Sequence, residues 1–134
     1  MPDTSSVIPA THADILEKKG FAHVATVGSH GEPQSSPVWY GWDGHVLSFS
    51  QTTGRQKYHN LGKEPRIALS VTDPENPYRY IEIRGVVEGI DEDPDNAFIN
   101  SMAKKYLDED VYPWHKPEDH RVIVRVRPER TTIQ

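Results

Sequence analysis

Residues 33–50 read PQSSPVWYGWDGHVLSFS, and this stretch decides the fold class. Two runs of strand length, 33–42 and 45–50, are joined by Asp43-Gly44, a dipeptide typical of the tight turn between antiparallel strands. It is the strongest hairpin signal in the chain. Because Pro37 cannot donate a backbone hydrogen bond, we expect an edge, a bulge or a break in pairing within the first of these strands.

The sequence on either side of this hairpin predicts a mainly β protein with an α+β composition. Further strands are expected over residues 21–28, 66–72, 79–90 and 121–128. Gly85 interrupts one of them, and we expect a bulge or a sharp bend there. Six or seven short antiparallel strands most easily close as a small barrel, since closure removes exposed sheet edges.

Two or three short helices complete the pattern. Thr11 and Asp14 have the spacing of a capping box, which predicts a helix over residues 11–19. A second helix is expected over residues 55–61, with Gly62 as its C-terminal cap.

The third expected helix follows Asp93, the predicted N-cap, with Pro94 in its first position. Residues 108–120 then read as an irregular loop. The helix carries an apolar stripe more typical of core or of a subunit contact than of a ligand site. Its members are Ile99, Met102, Ala103 and Tyr106.

Composition bounds the remaining possibilities. The 134 residues fit a single domain, 1–134, and the chain has no cysteine and a net charge of −5. This charge disfavours nucleic acid as a partner. Neither a signal peptide nor a membrane-spanning apolar run is recognisable, which predicts a cytoplasmic protein with no membrane partner.

Catalytic and metal motifs are missing from the sequence. The seven histidines show neither H-x-H nor H-E-x-x-H spacing, so no metal site is expected. A G-x-S-x-G elbow, a Walker loop and a G-x-G-x-x-G motif are also missing, which argues against hydrolases of that type and against P-loop and Rossmann cofactor sites.

Residues 50–61, SQTTGRQKYHNL, hold the most informative charges. Arg55 and Lys57 stand at the start of a helix, whose free N–H groups and dipole favour an anion. A phosphate is the natural ligand for such a combination. The alternative is that Thr53 caps a surface helix whose Arg and Lys are solvated.

The order and spacing of several elements support a family resemblance. Residues 24–71 contain a G-x-P turn, the strand SPVWY, the D-G hairpin and R-x-K-x-x-N-L followed by PRIAL. The likeness continues through PYRYIEIRGVVE and MAKKYL…YPW. Together these motifs resemble the flavin/deazaflavin-binding split β-barrel superfamily related to pyridoxamine 5′-phosphate oxidase, and within it the coenzyme F420-dependent oxidoreductases.

This resemblance implies a homodimer that binds its cofactor in a groove between two protomers. The cofactor phosphate would contact Arg55 and Lys57, and Tyr78 and Tyr80 would approach from the partner subunit. Trp114 and His115 would border the same pocket. The residues that would line the phosphate end and the ring are Gln34, Ser36, Pro37, Val38, Trp39, Ser50, Gln51, Thr52 and Thr53.

The implied chemistry is hydride transfer between carbon 5 of a reduced deazaflavin and a small organic acceptor. No catalytic acid or base is assigned, because the sequence does not choose among Tyr78, Tyr80 and His115 as a proton donor.

The resemblance favours coenzyme F420 as the cofactor, with FMN as the alternative. F420 adds an anionic lactyl-oligoglutamate tail, for which the sequence offers Lys63, Arg66, Lys18 and Lys19. Alternative functions are an FMN-dependent oxidoreductase, a non-catalytic protein that binds a cofactor or haem, and a structural dimer that has lost its ligand.

Overall fold

A computed structural model describes residues 7–134, so the first six residues of the predicted domain lie outside it. The described residues form one antiparallel sheet of seven strands, which confirms the predicted fold class. The strands are β1 Ala22–Val27, β2 Pro33–Val38, β3 Gly41–Trp42, β4 Leu47–Thr52, β5 Arg66–Asp73, β6 Asn76–Glu92 and β7 Arg121–Ile133. The helices are a 3₁₀ helix, Ala13–Glu17, and the α-helices α1, Gln56–Lys63, and α2, Ala97–Leu107.

The strand order makes the sheet curl. It runs β2-β1-β5-β6-β7-β4-β3, so that β2 and β3 are the two edges. Yet only Trp39 and Tyr40 separate these edge strands in sequence, and so short a connection reaches only about 10 Å. The sheet must therefore bend until its edges meet at this link, which gives the expected split barrel. We call the open junction between β2 and β3 the seam.

The interior of the barrel is filled by alternate residues of the strands. In β4 the side chains of Leu47 and Phe49 are fully buried, and β7 contributes Val124 and Val126 in the same way. This alternation follows from the pleat of a strand, which sends successive side chains to opposite faces. The outward side chains of β4 and β7 are consequently free to build a site on the barrel surface.

Tyr40 fixes the seam from within the core. Its ring is fully buried, and its hydroxyl donates to the carbonyl oxygen of Ile15 at 3.0 Å. Burial raises the pKa of the Tyr40 hydroxyl well above its usual range. The hydroxyl therefore stays protonated and ties the 3₁₀ helix to the seam.

The backbone of Tyr40 has lost its place in the strand ladder, and α2 supplies the missing partners. The Tyr40 amide donates to the Tyr106 hydroxyl at 3.2 Å, and Lys105 Nζ donates to the Tyr40 carbonyl oxygen at 2.7 Å. The Tyr106 hydroxyl in turn donates to the Gly20 carbonyl oxygen at 2.6 Å. The seam can stay open because its buried polar groups are satisfied.

A group of ion pairs joins the 3₁₀ helix to the β5–β6 hairpin. The buried carboxylate of Asp73 accepts from Lys18 and from Arg79, each at 3.0 Å. Arg79 also pairs with Asp14 at 2.6 Å, and Lys18 with Glu75 at 2.9 Å. The ammonium group of Lys18, one of the cations considered for a cofactor tail, is therefore engaged away from the seam.

Two predictions for the first helices were wrong. The segment after Thr11 is a 3₁₀ helix of five residues whose N-cap, His12, makes no side-chain capping bond. Helix α1 continues to Lys63 and its C-cap is Glu64, so Gly62 lies inside the helix. Packing of the chain against the barrel sets both ends, and local propensity does not reveal it.

The third helix is also displaced from its predicted start. α2 begins at Ala97, three residues after Pro94. The Asp93 carboxylate still accepts from the amides of Phe98 at 3.1 Å and Ile99 at 3.2 Å. Asp93 therefore satisfies the first turn as expected of a capping residue, although it stands one turn earlier in the chain.

The strand predictions held with changed bounds. The run over residues 33–42 is divided into β2 and β3 at the seam, and Pro37 lies in an edge strand, opposite His23 of β1. β7 extends five residues beyond its predicted end at residue 128. The expected irregularity at Gly85 is confirmed, because the register between β6 and β7 shifts between Arg84 and Gly85.

We expect Gly85→Ala to destabilise the protein by about 2–4 kcal/mol, which urea unfolding at fixed protein concentration would measure. A Cβ at this position would overlap the carbonyl oxygen of Arg127, and backbone cannot move aside cheaply. The matched control is Gly62→Ala, since a Cβ there meets no atom within 4 Å. In a helix interior this control should gain about 0.5–1 kcal/mol. Equal stability of the two variants would contradict the prediction.

Candidate functional site

A cleft of about 370 Å³ opens on the barrel surface beside the seam. Its walls come from β2, β4, the first turn of α1, α2 and the start of β7. Within residues 7–134, three cations and no carboxylate line it, although the whole chain is acidic. The lining residues are Phe21, Ser36, Pro37, Val38, Trp39, Ser50, Gln51, Thr52, Arg55, Lys57, Ile99, Met102, Tyr112 and Arg121.

Helix α1 is held by a polar contact in the barrel wall. Lys57, Asn60 and Leu61 are its buried residues, and their three- and four-residue spacing puts them on one face. Asn60 Nδ2 donates to Thr26 Oγ1 of β1 at 3.0 Å, and Gln56 donates to Asn60 Oδ1 at 2.8 Å. The face that anchors the helix therefore also directs Lys57 into the cleft.

Lys57 is the most unusual residue of the site. Only 7% of it is exposed, and its ammonium donates to Ser36 Oγ at 2.7 Å. Burial, helped by the charge of Arg55, lowers the pKa of Lys57 from 10.5 to about 8. Within residues 7–134 it forms no ion pair with a carboxylate, and a buried charge without a counter-ion is costly. The site thus provides a cation that has no carboxylate counter-ion among the described residues.

Arg55 adds a second cation at the mouth of the cleft. It is the N-cap of α1 and makes no side-chain capping bond, and it is exposed. Its backbone therefore stands at the positive end of the helix dipole, and the residue belongs to the cleft lining. The alternative in which Thr53 caps a surface helix with solvated cations fails at two points, because Arg55 occupies the cap and Lys57 is buried, whereas Arg55 itself is exposed.

Aromatic side chains form one wall of the cleft. Trp39 stacks on Tyr106 with ring centroids 5.0 Å apart and an interplanar angle of 7°. Tyr112 meets Trp39 edge-on at 5.9 Å, and Trp114 stands 6.1 Å from it. Trp39 and Tyr112 belong to the cleft lining, whereas Tyr106 and Trp114 support them from outside it. The lining rings offer apolar aromatic surface to a planar ligand.

Nine of the predicted site residues line the cleft, and four lie outside it. The amide side chain of Gln34 is directed at the Thr26 hydroxyl, 3.4 Å away, and the Thr53 amide donates to the His120 carbonyl oxygen. Tyr78 is 80% exposed near the start of β6, and Tyr80 follows on the same strand. Trp114, His115, Lys63 and Arg66 are also outside the lining.

Sequence reasoning missed Phe21, Tyr112 and Arg121, and it assigned Ile99 and Met102 to core or subunit contact. Arg121 opens β7 directly opposite Thr52 of β4. Its Nη1 donates to Ser50 Oγ at 3.2 Å, and its guanidinium stands 4.7 Å from the centre of the Tyr112 ring. The alternation of β7 marks Arg121 as outward-facing, but only the pairing of β4 with β7 brings it to the cleft.

This arrangement defines a class of protein. A split barrel with a cation-lined, aromatic-walled cleft at its seam suits a planar ligand that carries an anionic group. In the part of the chain that the structure describes, no three or more His, Cys, Asp or Glu side chains are grouped to hold a metal ion. Over the same residues, no helix is long and apolar enough to cross a membrane.

The family follows from comparison with known proteins. A family model described as pyridoxamine 5′-phosphate oxidase matches residues 8–134, and the chain belongs to this family. The match supports a cofactor of the flavin or deazaflavin type. The buried cation and the flat aromatic wall fit the phosphate and the ring system of such a cofactor.

Solved structures repeat the same architecture. One described as an F420 reductase is 43% identical, with a TM-score of 0.84 over 93% of this chain and 98% of its own. A second is a conserved hypothetical protein, Rv2991, from Mycobacterium tuberculosis, 25% identical with a TM-score of 0.73 over 95% and 84%. General stress protein 26 from Bacillus anthracis, 20% identical with a TM-score of 0.67 over 90% and 88%, shows the fold alone.

A curated relative gives a narrower likeness. The 5a,11a-dehydrotetracycline/5a,11a-dehydrooxytetracycline reductase of Streptomyces rimosus is 36% identical over 72 residues. This match covers 49% of the chain and 51% of the relative. The chain thus spans about half of the relative's length.

We expect sulfate binding to weaken as pH rises through about 8, because the Lys57 ammonium is present below its pKa of about 8 and lost above it. Sulfate suits this test since its charge is constant over that range. Tryptophan fluorescence titrations between pH 7 and 9.5 at constant ionic strength would measure the affinity. In Lys57→Arg, whose side chain stays charged, the affinity should be constant. A flat profile in the unaltered protein would contradict the assignment.

Proposed function

We propose that this protein is an oxidoreductase that binds coenzyme F420 in the cleft and transfers a hydride between the reduced cofactor and a small organic acceptor. The observation that carries the proposal is the buried ammonium of Lys57, which has no carboxylate partner among the described residues. Likeness to the F420 reductase over 93% of the chain supports the choice of cofactor. The reductase named among curated relatives supports the reaction class.

The described residues divide the work of holding such a cofactor. Lys57, fixed by Ser36, and Arg55 would receive the phosphate, with the first amides of α1 behind them. The ring system would lie along Pro37, Val38 and Trp39, where Pro37 leaves no amide hydrogen that needs a strand partner. A reduced deazaflavin supplies the hydride, and the protein supplies orientation and an apolar surrounding.

The acceptor is proposed only as a class. Ile99, Met102 and Tyr112 give the α2 side of the cleft an apolar and aromatic surface, which suits a conjugated organic molecule better than a highly charged one. The name of the curated relative makes polycyclic enones the first acceptors to test. A non-catalytic cofactor carrier would also bind reduced F420, but the bound cofactor would not be oxidised by any of these enones.

We expect Arg55→Ala/Lys57→Ala to bind F420 at least tenfold more weakly than the unaltered protein. Losing a hydrogen bond to a charged group costs about 1.5–3 kcal/mol, and 1.4 kcal/mol is about tenfold. Fluorescence-quenching titrations with F420 and, separately, with FMN would measure the affinities. If FMN bound more tightly than F420, the proposed phosphate site would stand, but the proposed cofactor would be FMN.

The control is Lys63→Ala/Arg66→Ala, which removes the same charge outside the cleft lining. Lys63 is exposed, and the Arg66 guanidinium pairs with Glu64 at 2.6 Å. This variant should bind both cofactors as the unaltered protein does. Equal losses in the two double variants would mean that overall charge, and no specific phosphate site, governs binding.

We also propose that two copies associate and that Tyr78 completes the partner's cofactor site. Tyr78, Phe21 and Trp114 are large apolar side chains that are more than half exposed, and covering apolar surface of this size favours association. Sedimentation velocity is expected to give a dimer. Tyr78→Ala should weaken F420 binding several-fold, whereas Tyr58→Ala on α1, outside the cleft lining, should not. A monomer that binds F420 with full affinity would contradict this proposal.

A further inference from the structure

Arg121 is a buried cation that the proposed phosphate position does not use. Its side chain is only 9% exposed, and its one ion pair among the described residues is a long one, 4.0 Å from Nη2 to Asp119 Oδ2. Ser50 accepts from Nη1, and the Tyr112 ring covers one face of the guanidinium. These contacts fix the orientation of the group without neutralising its charge.

On one edge of this guanidinium Nε has no hydrogen-bond partner among the described residues, and Nη2 makes only the 4.0 Å ion pair with Asp119. Arg121 Nε is buried and makes no hydrogen bond within residues 7–134. Nε and Nη2 form the edge that binds a carboxylate or a phosphate through two parallel hydrogen bonds. An unpaired buried donor costs free energy, so an edge held in this state indicates a ligand group that completes it.

We propose that the Nε–Nη2 edge of Arg121 is a second anion-binding position of the cleft, which receives a carboxylate or phosphate of a ligand whose first phosphate lies against Arg55 and Lys57. The proposal rests on the proposed function for the identity of that ligand. It makes the preferred cofactor one with two separated anionic groups. F420, with its phosphate and its glutamyl carboxylates, meets this requirement, and FMN, with a single phosphate, does not.

The two positions have separate supports. Lys57 is held by Ser36 on β2, and Arg121 by Ser50 on β4 and by the ring of Tyr112. β2 and β4 are not neighbours in the sheet, so the two cations are held by different strands. Three cations, with no carboxylate among the described lining residues, also exceed the charge that one phosphate needs.

The cations first considered for a cofactor tail do not fill this role. Arg66 is paired with Glu64 and Lys18 with Asp73, and neither they nor Lys63 line the cleft. Arg121 is the one lining cation outside α1 and its N-cap in the described part of the chain. A second anionic group in the cleft therefore has this side chain as its available partner.

The test compares F420 with FMN on Arg121→Gln. We expect F420 affinity to fall about tenfold or more, as for the loss of a charged bidentate contact, and FMN affinity to change less than about threefold. The control Arg127→Gln lies further along β7, where Arg127 pairs with Glu129 at 3.7 Å; it should leave both affinities unchanged. Equal losses for F420 and FMN would place Arg121 at the phosphate position and overturn the proposal, as would no loss for F420.

A second measurement is independent of the cofactor. Sulfate should still quench tryptophan fluorescence in Arg55→Ala/Lys57→Ala, and adding Arg121→Gln should remove that effect. An unchanged melting temperature would show that the triple variant is folded, and Arg121→Lys should restore sulfate binding in part. If neither F420 nor FMN binds but sulfate binding depends on Arg121, the proposed function fails and the second position stands. Sulfate binding that is absent in the double variant, or that survives Arg121→Gln, overturns the second position.

Discussion

The two-residue link between the edge strands is the constraint on which the rest of the structure depends. Trp39 and Tyr40 join β2 to β3, which lie at opposite edges of the sheet, so the sheet has to curl and leave a seam. Backbone groups at the seam then need partners outside the ladder, and Tyr106 and Lys105 of α2 provide them. With those groups satisfied inside the protein, the outer side of the seam is free to become a cleft. The fold and the site are thus two consequences of one short connection.

The buried ammonium of Lys57 is held by the barrel through Ser36, and it has no carboxylate counter-ion among the described residues. Burying an ammonium costs several kcal/mol when it lacks a counter-ion, and a hydrogen bond such as that from Lys57 to Ser36 returns only about 1.5–3 kcal/mol. The packing of α1 through its buried residues Leu61 and Asn60 offsets the remaining free-energy cost of burying the ammonium. A bound anion would restore the missing balance, which makes the free protein less stable than its complex and links binding to pH through the pKa of Lys57. A carboxylate in the same place would stabilise the free protein and abolish the site.

Sequence reasoning succeeded where a feature depends on neighbouring residues. Asp43-Gly44 forms the hairpin, with both the His45 and Val46 amides donating to the Asp43 carboxylate at 2.8 Å, and Gly85 marks the bulge because no side chain fits there. It failed where distant packing decides, as at Gly62 and at the start of α2. For the site, the helix start and the family resemblance led to Arg55 and Lys57. Arg121 stayed hidden because its neighbour Thr52 is 69 positions earlier, and only the β4–β7 register joins them.

The cleft has two walls with different structural roles. One wall is part of the barrel and would bind the cofactor, and the other, which includes Tyr112, would contact the acceptor. The β2, β4 and α1 wall belongs to the barrel and cannot change without disturbing the core. Tyr112 belongs instead to the irregular segment after α2, where its amide donates to Asn100 Oδ1 at 2.9 Å. Exposed segments of this kind tolerate substitution far better than strands do. Yet Tyr112 also covers the guanidinium of Arg121, so a change of acceptor through this residue would alter the second anion position as well. The acceptor side of the cleft is therefore free to vary only as far as that contact is kept.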